Sequence, residues 1–562
     1  MKKLAMVAAL LIIAGFAGWQ QRVELLVWVA PKLLKITSPV AENRELNWSQ
    51  GPEVAASEPA DRPPNIVLIV TDDMGFNDIS LYNGGAGDGT LQTPSIDALA
   101  HEGVTFTNGY AANAVCAPSR ASIMTGRYST RFGFEFTPFF KTGVTIFRWM
   151  EELNPGPVPL FLDEASAATM KPLQELGLPS SEITIAELLK QQGYYTAHVG
   201  KWHLGSVNDM VVTNQGFDDS LELKGTLYLP QDHPDVVNAK VEGDRIDRMV
   251  WATGTYSAAF NGVGNPGEQF KPKGYLTDYY TDQAVKVIEN NRNRPFFLYL
   301  AHWGIHNPLQ AARADYDALS HIEDHRLRVY SAMIRAVDRS VARVTQALEE
   351  NGLTDNTLII LTSDNGGAGY LGLPNVNKPY RGWKLNHFEG GTHVPFMAKW
   401  PARISAGTSM EDPIHHNDIF TTIAAAAGAQ LPQDRKIDGV DLLPYVRKET
   451  SGAPHETLFW REGHQQTVLH QGWKLIRAEQ PHLPQPAPMA KWLFNLAVDP
   501  TEQNNLAAQN SEKLAELEAL LAAHNAEQVE PLWPTVSNSP QLIDKTTNEP
   551  MKEGDEFIYW PN

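Results

Sequence analysis

Short continuous runs of apolar residues recur along the chain, and each runs into a cluster of polar or charged residues. Asn65–Val70 (NIVLIV) ends in Thr71-Asp72-Asp73. An apolar run without polar alternation predicts a strand covered on both faces. Tyr194–Val199, which carries Thr196 and His198, reads as a further strand, and Phe296–Ala301 and Thr357–Thr362 repeat the apolar pattern. They lead into Gly200-Lys201-Trp202-His203, His302 and His306, and Ser363-Asp364-Asn365-Gly366-Gly367. Helical signals lie between them. Thr93-Pro94 reads as an N-cap followed by proline at the first helical position, opening a helix through Ile96 and Leu99. Ile183–Gln192 reads as a helix stopped by Gly193. Tyr330, Ile334, Val337, Val341, Val344 and Leu348 step by four and three, an amphipathic helix closed by Asn351-Gly352. Alternating strands and helices predict an α/β fold with a large, doubly wound, mostly parallel sheet. Ligands of such sheets bind beyond the carboxyl ends of the strands. The polar clusters after the strands therefore converge, although they span roughly 300 positions.

After residue 405 the texture changes. Thr457–Trp460, Thr467–Leu469 and Trp473–Ile476 read as short strands with turns between them. Ser511–Gln528 follows as a helix with apolar positions Leu514, Leu517, Leu520 and Leu521. The expectation is a smaller antiparallel sheet carrying one packed helix. The chain then divides into an N-terminal segment (1–35), a polar Pro/Glu/Ser-rich linker (36–64), a large domain (65–405), an α+β subdomain (406–530) and an extended tail (531–562) draped over the surface. In the first segment, Lys2 and Lys3 precede the apolar run Leu4–Gly18, the pattern of a secretory signal or an uncleaved anchor. That run is short for a membrane span, which takes about 20 residues. Val23–Leu34 is apolar again and suits a membrane surface. The expectation is an exported protein, periplasmic or membrane-anchored facing the periplasm.

Composition narrows the chemistry. Lys+Arg is 46 and Asp+Glu 65, giving a net charge of -19. Such a balance disfavours a general nucleic-acid binder, because phosphate affinity needs a basic surface. An anionic substrate would require cations concentrated locally against the global field. Cys116 is the single cysteine of 562 residues, so no internal disulfide forms.

Asp72-Asp73 at a strand end is self-repelling unless a cation neutralises it. A lone pair of this kind is usually a solvated turn. Asp364-Asn365, however, occupies the same position on another strand, and two such pairs make an all-oxygen site for a hard divalent ion, Ca²⁺ or Mg²⁺. Cys116 precedes Pro118, which places it at a helix N-terminus, where negative charge is favoured. It reads as a small buried hydrophobe or a thiolate nucleophile. Lys201 and Lys384 would ordinarily be solvated, and His203 and His306 ordinarily structural.

The run Cys116-Ala117-Pro118-Ser119-Arg120, followed after four residues by Thr125-Gly126, resembles the motif of the type I, formylglycine-dependent sulfatases. Gly200-Lys201-Trp202-His203-Leu204-Gly205, His306-Asn307-Pro308, Thr362–Gly367, Arg381-Gly382-Trp383-Lys384 and Glu389-Gly390-Gly391 extend the match in the family's order, as do Leu493–Leu496 and Asp499–Glu502 in the small domain. The stretch Phe297–Gly367 most resembles arylsulfatase B-like members. The resemblance implies an alkaline phosphatase-like sulfatase fold and an arylsulfatase-like sulfuric ester hydrolase acting on a sulfated carbohydrate or aryl sulfate. It implies that a formylglycine-generating or sulfatase-maturing enzyme converts Cys116 to 3-oxoalanine, whose gem-diol attacks sulfur to give a covalent sulfate-enzyme intermediate. Asp72, Asp73, Asp364 and Asn365, with the modified Cys116, would hold Ca²⁺. Arg120 and Lys201 would stabilise the diol and sulfate, His203 would accept the diol's second proton, and Lys384 and His306 would grip the sulfate with Lys201. The residue types agree: sulfuryl transfer develops charge on oxygen, which preorganised cations and a metal stabilise.

Two other functions fit the same residues: a phosphonate or phosphate ester hydrolase of the same superfamily, and a noncatalytic sulfoglycan binder with an unoxidised cysteine. His302 reads as structural. His387, His393, His415 and His416 read equally well as pocket lining or packing. Phe139, Phe140, Trp149 and Tyr228, in segments 135–180 and 206–273, read as core or as sugar-stacking rings.

Overall fold

A computed structural model describes residues 19, 21–58, 61–82, 85–87, 89–139, 141–153, 155–241, 247–262 and 267–562. The run Leu4–Gly18, Phe140 and parts of segment 206–273 lie outside the described residues. Among the described residues no helix is long and apolar enough to cross a membrane.

The strand Asn65–Thr71 is buried along its whole length, as its unbroken apolar sequence requires. It pairs in parallel with Phe296–Ala301 on one side and Thr357–Ser363 on the other. Tyr195–Gly200 and Asp219–Leu223 continue the parallel set beyond Phe296–Ala301. The sheet has ten strands, and its flanks are mixed: Phe396–Lys399 runs antiparallel to Thr357–Ser363, and Ala258–Gly262 antiparallel to Asp219–Leu223. Side-chain alternation splits the first strand between two cores. Val67 and Ile69 face the layer of helices Pro94–His101, Leu276–Asn291 and His325–Glu350. Ile66, Leu68 and Val70 face Cys116–Thr125, Ile185–Gln191 and Asn417–Ala426. On the long helix His325–Glu350, every apolar position of the four-and-three pattern is at most 1% exposed.

Register delivers the polar clusters. Thr71 lies opposite Ser363, and Ala301 opposite both Val70 and Gly200. The next residues, Asp72, Asp364 and Lys201, therefore leave the sheet side by side. Gly200 is obligatory here: its φ is 115°, and a Cβ would meet the Ala301 carbonyl oxygen at 1.8 Å.

Three segments differ from expectation. Beyond residue 405 the chain still serves the large layer, since Thr408–Met410 is its edge strand and Asn417–Ala426 packs on the other helices. The polar stretch 36–64 is docked rather than a free linker. Its Trp48 is 3% exposed and donates to Gln283 Oε1 at 2.9 Å, because a few apolar anchors suffice to bury a polar segment at a sheet edge. The final stretch forms Ser537–Leu542 and Phe557–Pro561, which pair with each other and with Phe161–Leu162.

The smaller sheet has four antiparallel strands, Thr457–Glu462, Gln465–His470, Trp473–Ala478 and Ala490–Asn495. Leu517 and Leu521 of the helix Ser511–Asn525 pack on it. A buried ion network joins it to the large domain. Lys474 Nζ lies 2.7 Å from Glu389 Oε1 and 3.0 Å from Glu502 Oε1. Glu389 Oε2 accepts from Tyr110 at 3.0 Å and pairs with His393 at 2.9 Å. Burial pushes the Glu502 carboxyl up to about 7, with Lys474 opposing and Glu389 reinforcing it. Glu389, although buried, is pulled down to about 2 by Lys474 and His393.

Lys474→Met leaves two buried carboxyls without their cation and is expected to cost about 3–5 kcal/mol of stability. Glu502 has a folded-state value above the ordinary carboxyl 4.5, so between there and 7 the folded state holds a proton that the unfolded chain has lost. Its contribution falls as pH rises through that window. Thermal melts at pH 5 and pH 8 should show a loss in the wild type that is smaller in Glu502→Gln.

Candidate active site

Cys116 opens the helix Cys116–Thr125, all ten residues of which are buried. Gly126, at φ 68°, ends it in a left-handed cap. The helix N-terminus points at the carboxylates leaving the sheet. Cys116 Sγ lies 3.4 Å from Asp72 Oδ1 and 3.7 Å from Asp73 Oδ1. Burial and then the Asp364 charge push the thiol well above its ordinary value, so it stands protonated. Arg120, one turn on, is fully buried and binds Asp364 Oδ2 through Nε and Nη2, both at 2.8 Å. Its Nη2 lies 3.6 Å from Asp72 Oδ2. Lys201 Nζ donates to Asp72 Oδ2 at 2.7 Å, and Lys384 Nζ to Asp73 at 2.7 and 2.8 Å.

The carboxylates differ in their surroundings. Burial first, then Asp364, raise Asp72 to about 6 against Lys201 and Arg120. Asp73, equally buried, is held below the usual carboxylate range by Lys384, His306 and Lys201. Asp73 and His203 have φ of 61° and 63°, left-handed backbone that non-glycine residues seldom adopt. Such strain persists only where the surroundings enforce it, commonly at functional sites. The Nδ1 of His203 is buried without a hydrogen-bond partner. Burial and then Lys201 hold this imidazole well below its ordinary value, leaving it neutral.

The donor set fits a divalent metal. Ligand atoms of Asp72, Asp73, Cys116 and His306 lie within 4.8 Å of one another. His306 Nδ1 bonds the Asn307 carbonyl at 2.7 Å, which turns the Nε2 lone pair toward Asp73 Oδ2, 3.6 Å away. A lone pair facing a carboxylate calls for a cation between them. Asn365 Oδ1 is buried and unpartnered, while its Nδ2 donates to Asp73 Oδ1 at 2.8 Å. Asp364 stands one step back, its Oδ2 held by Arg120 and its Oδ1 by the Asp73 N–H at 3.2 Å.

The sulfatase family model matches residues 64–429, which include every residue of this cluster. The chain belongs to the sulfatase family. It is 33% identical to steryl-sulfatase of Mus musculus over 467 residues, covering 72% of this chain and 68% of that protein. It is 34% identical to N-acetylgalactosamine-6-sulfatase of Mus musculus over 397 residues, 69% of this chain and 67% of the relative. Among solved structures, Ps i-CgsB in complex with k-i-k-neocarrahexaose aligns with a TM-score of 0.67 at 27% identity, covering 84% of this chain and 95% of that one. The protein is therefore a sulfuric ester hydrolase.

The other histidines of this sulfatase pack rather than line the site. His302 bonds Ser340, His387 bonds Thr467, and His393 bridges Glu389 and the Thr107 carbonyl. His415 is fully buried and sends its Nδ1 to the Asn417 N–H. His416 lies beneath the cysteine helix, with Nδ1 3.1 Å from Ser119 Oγ and Nε2 3.1 Å from Thr362 Oγ1. Tyr228 is buried, its hydroxyl donating to the carbonyls of Trp303 and His306. Phe139 stacks on Phe147, and Trp149 packs against Trp19. Two site residues escaped the sequence reading. Trp303 stacks on His306 with centroids 4.1 Å apart, and Tyr370 reaches Asp73. Trp303 had a signal in its place three residues before His306, just beyond a strand end; Tyr370 had none.

A divalent cation at about 100 times its dissociation constant should stabilise the fold by about 2.7 kcal/mol. Thermal melts with Ca²⁺, Mg²⁺ and a chelator read this, and Asp73→Asn is expected to abolish most of the gain.

Proposed function

We propose that this sulfatase hydrolyses sulfate esters of carbohydrates after a maturing enzyme oxidises Cys116 to formylglycine, with Ca²⁺ held by Asp72, Asp73, Asp364, Asn365 and the residue at 116. The observation that carries the reading is the placement of Cys116 against two buried carboxylates, within a cage of buried cations. Oxidised, residue 116 would supply a hydrated aldehyde as nucleophile, which can expel sulfate by elimination where a serine ester would need a second attack by water.

The charges support the reading. Asp72, Asp73 and Asp364 are balanced by Arg120, Lys201 and Lys384. With a divalent ion held by the carboxylates, the cage would be positive overall and both lysines would be relieved of their carboxylate partners. Lys201 and Lys384, at 6% and 7% exposure, are then free to meet sulfate oxygens. Arg120 cannot turn away from Asp364 and acts as a fixed counter-charge. His203 accepts the proton that the nucleophile sheds, and His306 steadies the sulfate beside Trp303.

The carbohydrate class is supported by two relatives, one named N-acetylgalactosamine-6-sulfatase and one bound to k-i-k-neocarrahexaose. Export to the periplasm, or anchorage facing it, is supported by Lys2, Lys3 and the run Leu4–Gly18. The helix Arg22–Thr37 exposes Trp28, Leu33 and Ile36, an apolar face suited to a membrane surface.

After coexpression with a maturing enzyme, the protein should desulfate members of a panel of sulfated mono- and oligosaccharides. An aryl phosphonate and a steryl sulfate, run beside them, test the other substrate classes. Cys116→Ala is expected to lose essentially all turnover. The peptide spanning residue 116 should be lighter than its thiol form, and an active enzyme retaining an intact thiol would overturn the nucleophile assignment.

A further inference from the structure

Asp73 has one neighbour that none of the sequence motifs supplies. Tyr370 sits on the single turn Gly369–Leu371, just past the strand end that carries Asp364 and Asn365. Its hydroxyl donates to Asp73 Oδ2 at 3.1 Å and accepts from Lys384 Nζ at 3.3 Å. The hydroxyl therefore bridges the carboxylate and the ammonium whose separation sets how far Lys384 can reach toward a sulfate. With the carboxylate as its sole partner, a flexible lysine collapses onto it. A neutral oxygen on a rigid ring gives the ammonium a second fixed point without adding charge.

The turn is itself anchored from far away in the chain. The Thr547 N–H donates to the Gly369 carbonyl at 3.3 Å, and Thr547 Oγ1 to the Tyr370 carbonyl at 3.0 Å. Asn548 Nδ2 reaches the Gly372 carbonyl at 3.2 Å. Asp544, three residues before Thr547, takes Arg381 Nε at 2.5 Å and Nη2 at 2.7 Å. Arg381 in turn lies three residues before Lys384. One short stretch, 544–548, thus holds both the turn bearing Tyr370 and the segment bearing Lys384.

We propose that Tyr370 is a positioning residue for sulfate-ester cleavage, aiming Lys384 at the sulfate, and that residues 544–548 strap it in place. The proposal rests on Lys384 gripping sulfate, as in the function proposed above.

Tyr370→Phe removes one oxygen and keeps the ring. Two readouts are compared with the wild type: KM and kcat on an aryl sulfate, and the affinity for inorganic sulfate by calorimetry on the calcium-loaded protein. Loss of a hydrogen bond to a charged group predicts a fall in sulfate affinity of roughly tenfold, matched by a similar rise in KM with kcat less affected. The melting temperature stays near that of the wild type. Thr547→Val, which loosens the strap without touching the ring, should shift both readouts in the same direction by roughly threefold. Sulfate affinity and KM within twofold of the wild type in Tyr370→Phe overturn the positioning role. An effect in Tyr370→Phe with none in Thr547→Val overturns the strap. If Tyr370→Phe fails to fold, Thr547→Val decides alone, and unchanged sulfate affinity there counts against the proposal. A wild type that cleaves no sulfate ester but binds sulfate in a Tyr370-dependent way would defeat the proposed function and the role in cleavage, while Tyr370-independent sulfate binding in an active wild type would overturn the positioning role alone.

Discussion

Three carboxylates meet at the carboxyl ends of two neighbouring parallel strands, each at most 1% exposed. Removing such charges from water costs several kcal/mol apiece unless each finds a well-placed partner. Much of the surrounding structure answers that demand. Arg120 comes from a helix buried along its whole length, Lys201 from just past the end of a strand two places along the sheet from Asn65–Thr71, and Lys384 from the loop between Thr357–Ser363 and Phe396–Lys399. The left-handed backbone at Asp73 and His203 lies in the same cluster.

The small sheet takes part in the same problem at one remove. Glu389 lies five residues beyond Lys384 and is held by Lys474 from that sheet and by the Glu502 carboxylate, which accepts its N–H at 2.7 Å. Arg381 donates to the Glu502 carbonyl at 3.2 Å. The loop carrying Lys384 is thus clamped from two directions by residues 85 or more positions downstream of their partners. This ties the lysine that pairs with Asp73 to a domain that contributes no group of its own to the carboxylate cluster.

The convergence of Asp72, Lys201 and Asp364 was legible because parallel pairing brings strand ends together, and short apolar runs between helical signals mark most of those strands. The cysteine motif supplied the helix and its arginine. Tyr370 was not legible, because a tyrosine in a glycine-rich loop carries no periodic signal and its placement depends on Thr547 and Asn548. Nor was the Lys474–Glu389–Glu502 network, whose charges look like ordinary surface residues until two layers meet. Trp48 and the strands Ser537–Leu542 and Phe557–Pro561 escaped for a related reason: their flanks are polar, and only a partner distant in sequence makes them regular. The histidines that pack show the converse, where residue type suggests chemistry and the contacts are with hydroxyls, backbone groups and the Glu389 carboxylate away from the cluster.

The separation of Cys116 from the strap at 544–548 has a temporal side. During synthesis the cysteine emerges roughly 430 residues before the segment that completes the loops around it. At about 5–20 residues per second, that is an interval of roughly 20–90 s. In the finished fold its sulfur belongs to a residue 3% exposed. A reagent or enzyme that must touch this thiol from outside therefore works against a ribosomal clock, and the length of the chain sets how long the door stays open.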